Sequence, residues 1–255
     1  LLSRFVVITR TLALTASVAF AFAPMAAADP VAVRYMEGVT RGFPVLRAVN
    51  GEKLAQGDLV QVARADRVDN RLVFKFADGS QYEEHVVFSQ RDMFRLLRYR
   101  IVQRGPSFPE TLDASLDRET GRYAVRYRAD DDSPEEILEG RLALPDDTYN
   151  GMLTMLLKNL RPGQQQMVQI VAFTPKPRLV KMLLQPVADD AVTIGDWAAR
   201  ATRFLIKPQL GLFASLLVTD LPDVKCWVVD GDAPAFLRFE GPLYFMGPIW
   251  RIEPN

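Results

Sequence analysis

One cysteine and one histidine are all that 255 residues hold of the two side chains most used for nucleophilic and metal chemistry. Zinc sites draw on several His or Cys ligands, and Cys226 and His85 stand far apart in the chain, so no metal is expected. A single thiol cannot form an internal disulfide. Its setting, Val224-Lys225-Cys226-Trp227-Val228-Val229, reads as that of a small buried hydrophobe and not of a nucleophile. No Gly-x-Ser-x-Gly occurs, which removes the nucleophile-elbow hydrolases. No glycine-rich phosphate loop follows a strand, and helices do not alternate with strands as a dinucleotide fold requires, so no cofactor is expected. An excess of one charge is also missing, because 31 basic residues meet 31 acidic ones. Without a basic surplus to neutralise phosphates, non-specific nucleic-acid binding is excluded.

The only strongly apolar run lies at the start. Arg4 and Arg10 precede or open it, Thr11 to Ala23 carries it, and Ala26-Ala27-Ala28 ends it, with no acid before Asp29. That order of a positive region, an apolar stretch and small residues is that of a cleavable secretory signal over residues 1–28. A spanning helix needs roughly 20 apolar residues, so the run is too short to anchor the chain, and no stable membrane span is expected after cleavage. The remaining residues, 29–255, are expected to form one β-rich domain, with a candidate internal division at 129–136, where Asp130-Asp131-Asp132-Ser133-Pro134-Glu135-Glu136 reads as a solvated loop. The localisation implied is periplasmic, or more broadly extracytoplasmic.

What the chain does have is period-two alternation. Leu72, Phe74 and Phe76 alternate with Arg71, Val73 and Lys75, Ala77-Asp78-Gly79-Ser80 makes a turn, and Gln81–Ser89 alternates again, giving a strong hairpin signal. Further strands are expected at 59–67, 93–103, 111–116, 122–128, 165–174, 178–187, 199–207, 224–229 and 235–239. One segment departs from this. Tyr149, Met152, Leu153, Leu156, Leu157 and Leu160 follow helical spacing, so a helix of three to four turns is expected over 148–160, opened by Asp146-Asp147 and stopped by Arg161-Pro162-Gly163. Pro208–Leu221 fits either a helix or a strand. The fold class that follows is mainly β with one or two helices, a curved antiparallel sheet, as an open or half barrel, with a helix on its concave face.

Candidate chemistry is sparse. In Tyr82-Glu83-Glu84-His85, strand alternation puts Glu83 and His85 on one side and Glu84 on the more apolar side with Tyr82, Val86 and Phe88. Burial there would raise a carboxyl pKa, although an edge position or an ion pair with a neighbouring arginine explains the same residues. Asp146-Asp147 and Asp189-Asp190 read as a helix start and a turn. Trp227 and Trp250 read as core or rim aromatics.

The tail, Trp227-Val228-Val229-Asp230-Gly231 through Pro234–Leu243 and Gly247-Pro248-Ile249-Trp250, together with the signal, the Asp-Gly hairpin and the single helix, resembles uncharacterised exported bacterial half-barrel proteins. These are similar in architecture to the periplasmic lipoprotein carriers LolA and LolB. The resemblance implies a plan and no functional residue. Three functions are carried forward. The first is a periplasmic binding or carrier protein for an apolar ligand such as a lipid or acyl chain, held by Tyr149, Met152 and Leu156 of the helix and Met182 and Leu184 of the sheet. The second is a non-catalytic envelope interaction or assembly protein with a filled core, its partner another envelope protein. The third is an acid–base hydrolase using Glu84 and His85. Cavity volume separates the first two.

Overall fold

The computed structural model describes residues 30–130, 132–209 and 223–255. The signal-like segment and most of the ambiguous stretch 208–221 lie outside the described residues. The front of the chain supplies β1 (Thr40–Gly42), β2 (Val45–Ala48), β3 (Lys53–Arg64), β4 (Arg67–Phe76), β5 (Gln81–Gln90), β6 (Phe94–Arg104), β7 (Thr111–Asp117), β8 (Arg122–Arg128) and β9 (Glu136–Arg141). After α1 (Leu153–Asn159) come β10 (Gln166–Thr174), β11 (Lys176–Ile194), β12 (Trp197–Gln209), β13 (Val224–Val229), β14 (Ala235–Gly241) and β15 (Trp250–Glu253).

All of these strands join one 15-stranded antiparallel sheet. It runs from β10 to β15, crosses to β2 through the β15–β2 pair, and continues to β9, with β1 added beside β3. β8 and β9, on either side of the candidate division at 129–136, pair with each other, so the sheet continues across it. The expected hairpin forms in register, Phe74 opposite Tyr82, with Gly79 at φ +86°. The Asp78 carboxylate fixes the turn by accepting from the Ser80 amide and the Ser107 hydroxyl, both at 2.8 Å, and these bonds hold its pKa below the usual range.

Alternation decides which side chains face inward. Phe74, Val86, Phe88, Leu96, Ala114 and Val125 are almost wholly buried, whereas Arg71, Arg98, Arg100 and Arg126 point to solvent. Arg71, Arg98 and Arg100 pair with Glu83, Asp117 and Asp113 of adjacent strands. Such exposed pairs contribute at most about 1 kcal/mol each, whereas each fully buried large apolar side chain contributes about 1.5–3 kcal/mol, so the inner face holds the sheet together.

The sheet rolls but does not close: among the described residues β9 and β10 are its two ends and do not pair. Each free edge is protected. β9 is short and carries Glu136, Glu139 and Arg141. β10 is covered by the segment before the helix, where the Gln169 amide donates to Asp147 O at 2.8 Å and the Tyr149 amide donates to Gln169 O at 2.9 Å. The Asn150 side chain continues the ladder, its Nδ2 donating to Val171 O and its Oδ1 accepting from the Val171 amide, each at 2.8 Å.

That edge pairing corrects the expected helix. The Tyr149 amide bonds to Gln169 of β10, while the Thr148 and Met152 amides donate to Pro145 O and Tyr149 O in turns, so only Leu153–Asn159 is helical. Asp146 and Asp147 accordingly do not open a helix. Asp147 accepts from Gln169 Nε2 at 2.9 Å, and Asp146 sits beside Arg95 and Arg118. A second correction concerns Asp189-Asp190, which lie within β11 opposite Thr202 and Ala201 and not in a turn. β11 leaves β10 after Leu184, β12 stays paired with β13 as far as Ala201, and beyond Asp190 and Ala201 the β11–β12 pair projects as a two-stranded ribbon turning at Gly195.

Candidate functional site

Inside the roll, between α1 and the sheet, lies a cavity of about 990 Å³. Its wall is mostly apolar: Leu72 and Ile101 come from one flank, Ile170, Val180, Met182 and Ile206 from the other, and Phe236, Phe239 and Ile252 from the strands between. Phe43, Phe245 and Met246 line it while standing more than half exposed, which makes them its rim.

Polar side chains interrupt the wall, among them Glu37, Glu84, Glu110 and Lys158. Glu84 on β5 points inward with Tyr82 and Val86, as alternation requires, and the Tyr99 hydroxyl on β6 donates to its Oε1 at 2.8 Å. Burial raises the Glu84 pKa, and the Tyr99 hydrogen bond opposes it without reversing it. Burial, reinforced by the Glu84 charge, also pushes the Tyr82 and Tyr99 phenols well above their ordinary value, so both remain protonated donors at neutral pH. Lys158 on α1 is held in an ion pair with Glu37, and both side chains are largely buried. Gly151 faces Glu84 at φ +68°, where an added Cβ would stand 3.2 Å from Tyr99 and Val86 and 3.3 Å from the Glu84 carboxyl carbon. Only glycine fits that approach without strain.

Of the five residues expected to hold a ligand, Met182 lines the cavity. Tyr149, Met152, Leu156 and Leu184 are fully buried in the core and lie off the cavity wall. Tyr149 is further tied down, its hydroxyl accepting from the Val31 amide at 3.0 Å. The helix meets the cavity with its other flank, Leu153, Thr154, Met155 and Lys158. The physical reason is that the most apolar stripe goes where burial is complete, leaving the mixed flank for the open space. The sequence pattern missed Asn150, Gly151, Tyr99 and Phe173. Tyr99 and Phe173 could have been found only by knowing that β6 and β10 meet, which no local signal states.

Glu84 and His85 do not share a site. His85 Nε2 lies 2.8 Å from Asp69 Oδ1 on the outer face, in a shallow polar groove with Arg67, Arg98 and Arg100, and the sheet separates it from Glu84. Trp227 belongs to the outer layer as well, its Nε1 donating to Asp190 at 2.7 Å with Arg203 and Arg238 beside the ring. Trp250 packs in an aromatic cluster with Phe76, Phe108 and Tyr244. Cys226 is fully buried, and burial pushes its thiol up to about 12. Among the described residues there is no metal-ligating cluster of His, Cys, Asp and Glu, and no helix is long and apolar enough to cross a membrane.

No family model matches the chain, and no curated protein matches it. Among solved structures it is similar to a crystal structure described as a beta-barrel-like protein of domain of unknown function DUF1849 from Brucella abortus. That likeness covers 90% of this chain and 98% of that one at 9% identity, with a TM-score of 0.40. At that distance nothing about ligand or activity passes from one protein to the other.

Proposed function

We propose that the protein is an extracytoplasmic binding or carrier protein that holds an apolar ligand, a lipid or acyl chain, inside the rolled sheet. The observation that carries this reading is the cavity itself: about 990 Å³, walled mainly by aliphatic and aromatic side chains, with charged groups at Glu37, Arg41, Glu84, Glu110 and Lys158. Small-molecule sites span roughly 300–1,000 Å³ and have this mixture of lining. The exposed rim of Phe43, Phe245 and Met246 supports transfer of an apolar chain from a lipid surface or another carrier. The likeness of plan to the lipoprotein carriers LolA and LolB belongs to the same proposal, as does periplasmic location, which rests on the residue pattern of 1–28.

Mass spectrometry of the protein purified from its own envelope, native and then after solvent extraction, tests the reading. A stoichiometric apolar molecule that extraction removes is the expected result. A clean apo mass with no uptake of added lipids overturns it. The second reading, an envelope interaction protein, is favoured by one observation: the projecting ribbon bears Ile194 and Trp197 at 41% and 77% exposure. Deleting the ribbon tip would then abolish partner capture and leave lipid uptake intact.

A further inference from the structure

The polar groups of the cavity wall are not equivalent. Lys158 is engaged by Glu37, and Arg41 stands at the rim, 3.5 Å from Asp58. Asn150 uses its amide on Val171, and Asn70 donates to Gln61 at 2.8 Å. Glu110, the other lining carboxylate with no cation beside it among the described residues, accepts from Gln103 at 3.4 Å, and Glu84 differs from the rest in lying directly against the helix lead-in at Gly151. The one hydrogen bond to Glu84 among the described residues comes from Tyr99 and engages Oε1 alone. Among the described residues no lysine, arginine or histidine pairs with it, although arginines pair with acids over much of the outer face. Across from it the chain presents Gly151, which has no side chain to donate. An ionised carboxylate offers about four acceptor positions, and leaving them unmet in an apolar wall is costly.

We infer that the cavity takes a single-chain amphiphile whose head donates hydrogen bonds, an ammonium or a hydroxyl group, with the head on Glu84 and the chain along Leu72, Ile101, Ile170 and Met182. This rests on the binding reading above and names its ligand class. A carboxylate or phosphate head would bring like charge to Glu84, and the hydroxyl nearest to hand, that of Tyr99, is already committed to it. A bare hydrocarbon would leave the carboxylate as it is. An ammonium supplies both charge and donors, and charge-assisted bonds of that kind are the stronger class, so it ranks above the hydroxyl.

The test is calorimetric titration of the delipidated protein at neutral pH with sub-micellar dodecylamine, 1-dodecanol and dodecanoate. The expected result is that dodecylamine binds at least about tenfold more tightly than dodecanoate, with the alcohol between. In Glu84→Gln the spread should collapse while the alcohol still binds. Tyr99→Phe, which keeps the carboxylate and removes its internal donor, should preserve or widen the preference, and it remains informative if Glu84→Gln does not fold. Equal or tighter binding of dodecanoate to the unaltered protein overturns the inference and leaves the carrier reading standing. So does a spread that survives in a folded Glu84→Gln. If none of the three binds, the carrier reading falls and the inference with it.

Discussion

The rings of Tyr99 and Phe173 lie stacked, with centroids 6.3 Å apart and planes 8° from parallel. Their strands, β6 and β10, are far apart in the sheet order, so the stack marks the place where the roll brings the β10 edge against the inner face of β6. Aromatic pairs of this kind contribute about 0.5–1.5 kcal/mol beyond the area they bury. A double-mutant cycle with Tyr99→Leu and Phe173→Leu should therefore return a coupling in that range by urea denaturation. A coupling near zero would mean that the segment 147–151 alone holds the β10 edge in place.

Gly151 offers a sharper test of how closely that segment packs. Gly151→Ala forces a side chain onto a backbone at φ +68° and puts its Cβ 3.2–3.3 Å from three neighbours. The left-handed conformation alone costs about 1–2 kcal/mol, and the crowding adds to it. We expect a total loss of about 1–3 kcal/mol, seen as a lower urea midpoint at unchanged m. Gly163→Ala also has a positive φ but meets nothing within 4 Å, so it should lose less.

Arg118 is the positioning residue for the chain that leads to the cavity. Its guanidinium donates to Leu96 O at 2.6 Å and to Leu144 O and Pro145 O at 2.9 Å, with the side chain only 7% exposed. Burial lowers its pKa, yet arginine stays charged at any ordinary pH. Hydrogen bonds from charged donors contribute about 1.5–3 kcal/mol, so Arg118→Met, which strands three carbonyls, should destabilise by about 2–4 kcal/mol. Arg118→Lys should recover only part of this, since one ammonium cannot span the fork. The outer pair Arg100–Asp113 has comparable geometry but is half exposed, and its removal should cost under about 1 kcal/mol.

Much of the fold was legible because a strand repeats its burial rule every second residue. The hairpin at 71–89 and the strand at 224–229 could be read from Leu72, Phe74 and the Val-Cys-Val pattern alone. Glu84 was legible in the same way, since alternation places it beside Tyr82 and Val86 whatever the rest of the chain does. The two misreadings have different causes. Tyr149 and Met152 satisfy helical spacing, but the Tyr149 amide bonds to Gln169 of β10, and a partner that comes later in the chain leaves no trace in local periodicity. Asp189-Asp190 looked like a turn because two acids are rare inside strands. They are tolerated in β11 because they lie past the end of its β10 pairing, where Asp189 is exposed and Asp190 accepts from Trp227 Nε1 and sits 3.4 Å from Arg203.

The buried carboxyl makes a prediction whose sign can be fixed. Glu84 has a folded-state pKa raised above its ordinary 4.5, by burial first, with Tyr99 pulling the other way. Below the ordinary value both folded and unfolded chains hold the proton, and the group contributes its full stability. Between the ordinary and the raised value the folded chain keeps the proton that the unfolded chain has lost, so stability falls as pH rises, by at most about 1.4 kcal/mol per pH unit. Above the raised value the loss is complete. Glu84→Gln lacks this proton, so the stability of the unaltered protein relative to Glu84→Gln should decline as pH climbs from acid through that window and then level off. Urea midpoints of both proteins across the range give the difference directly and cancel every other titrating group. A difference that instead grows with pH would mean that the ionised form is the favoured one, and hence that a cation reaches Glu84 in the free protein.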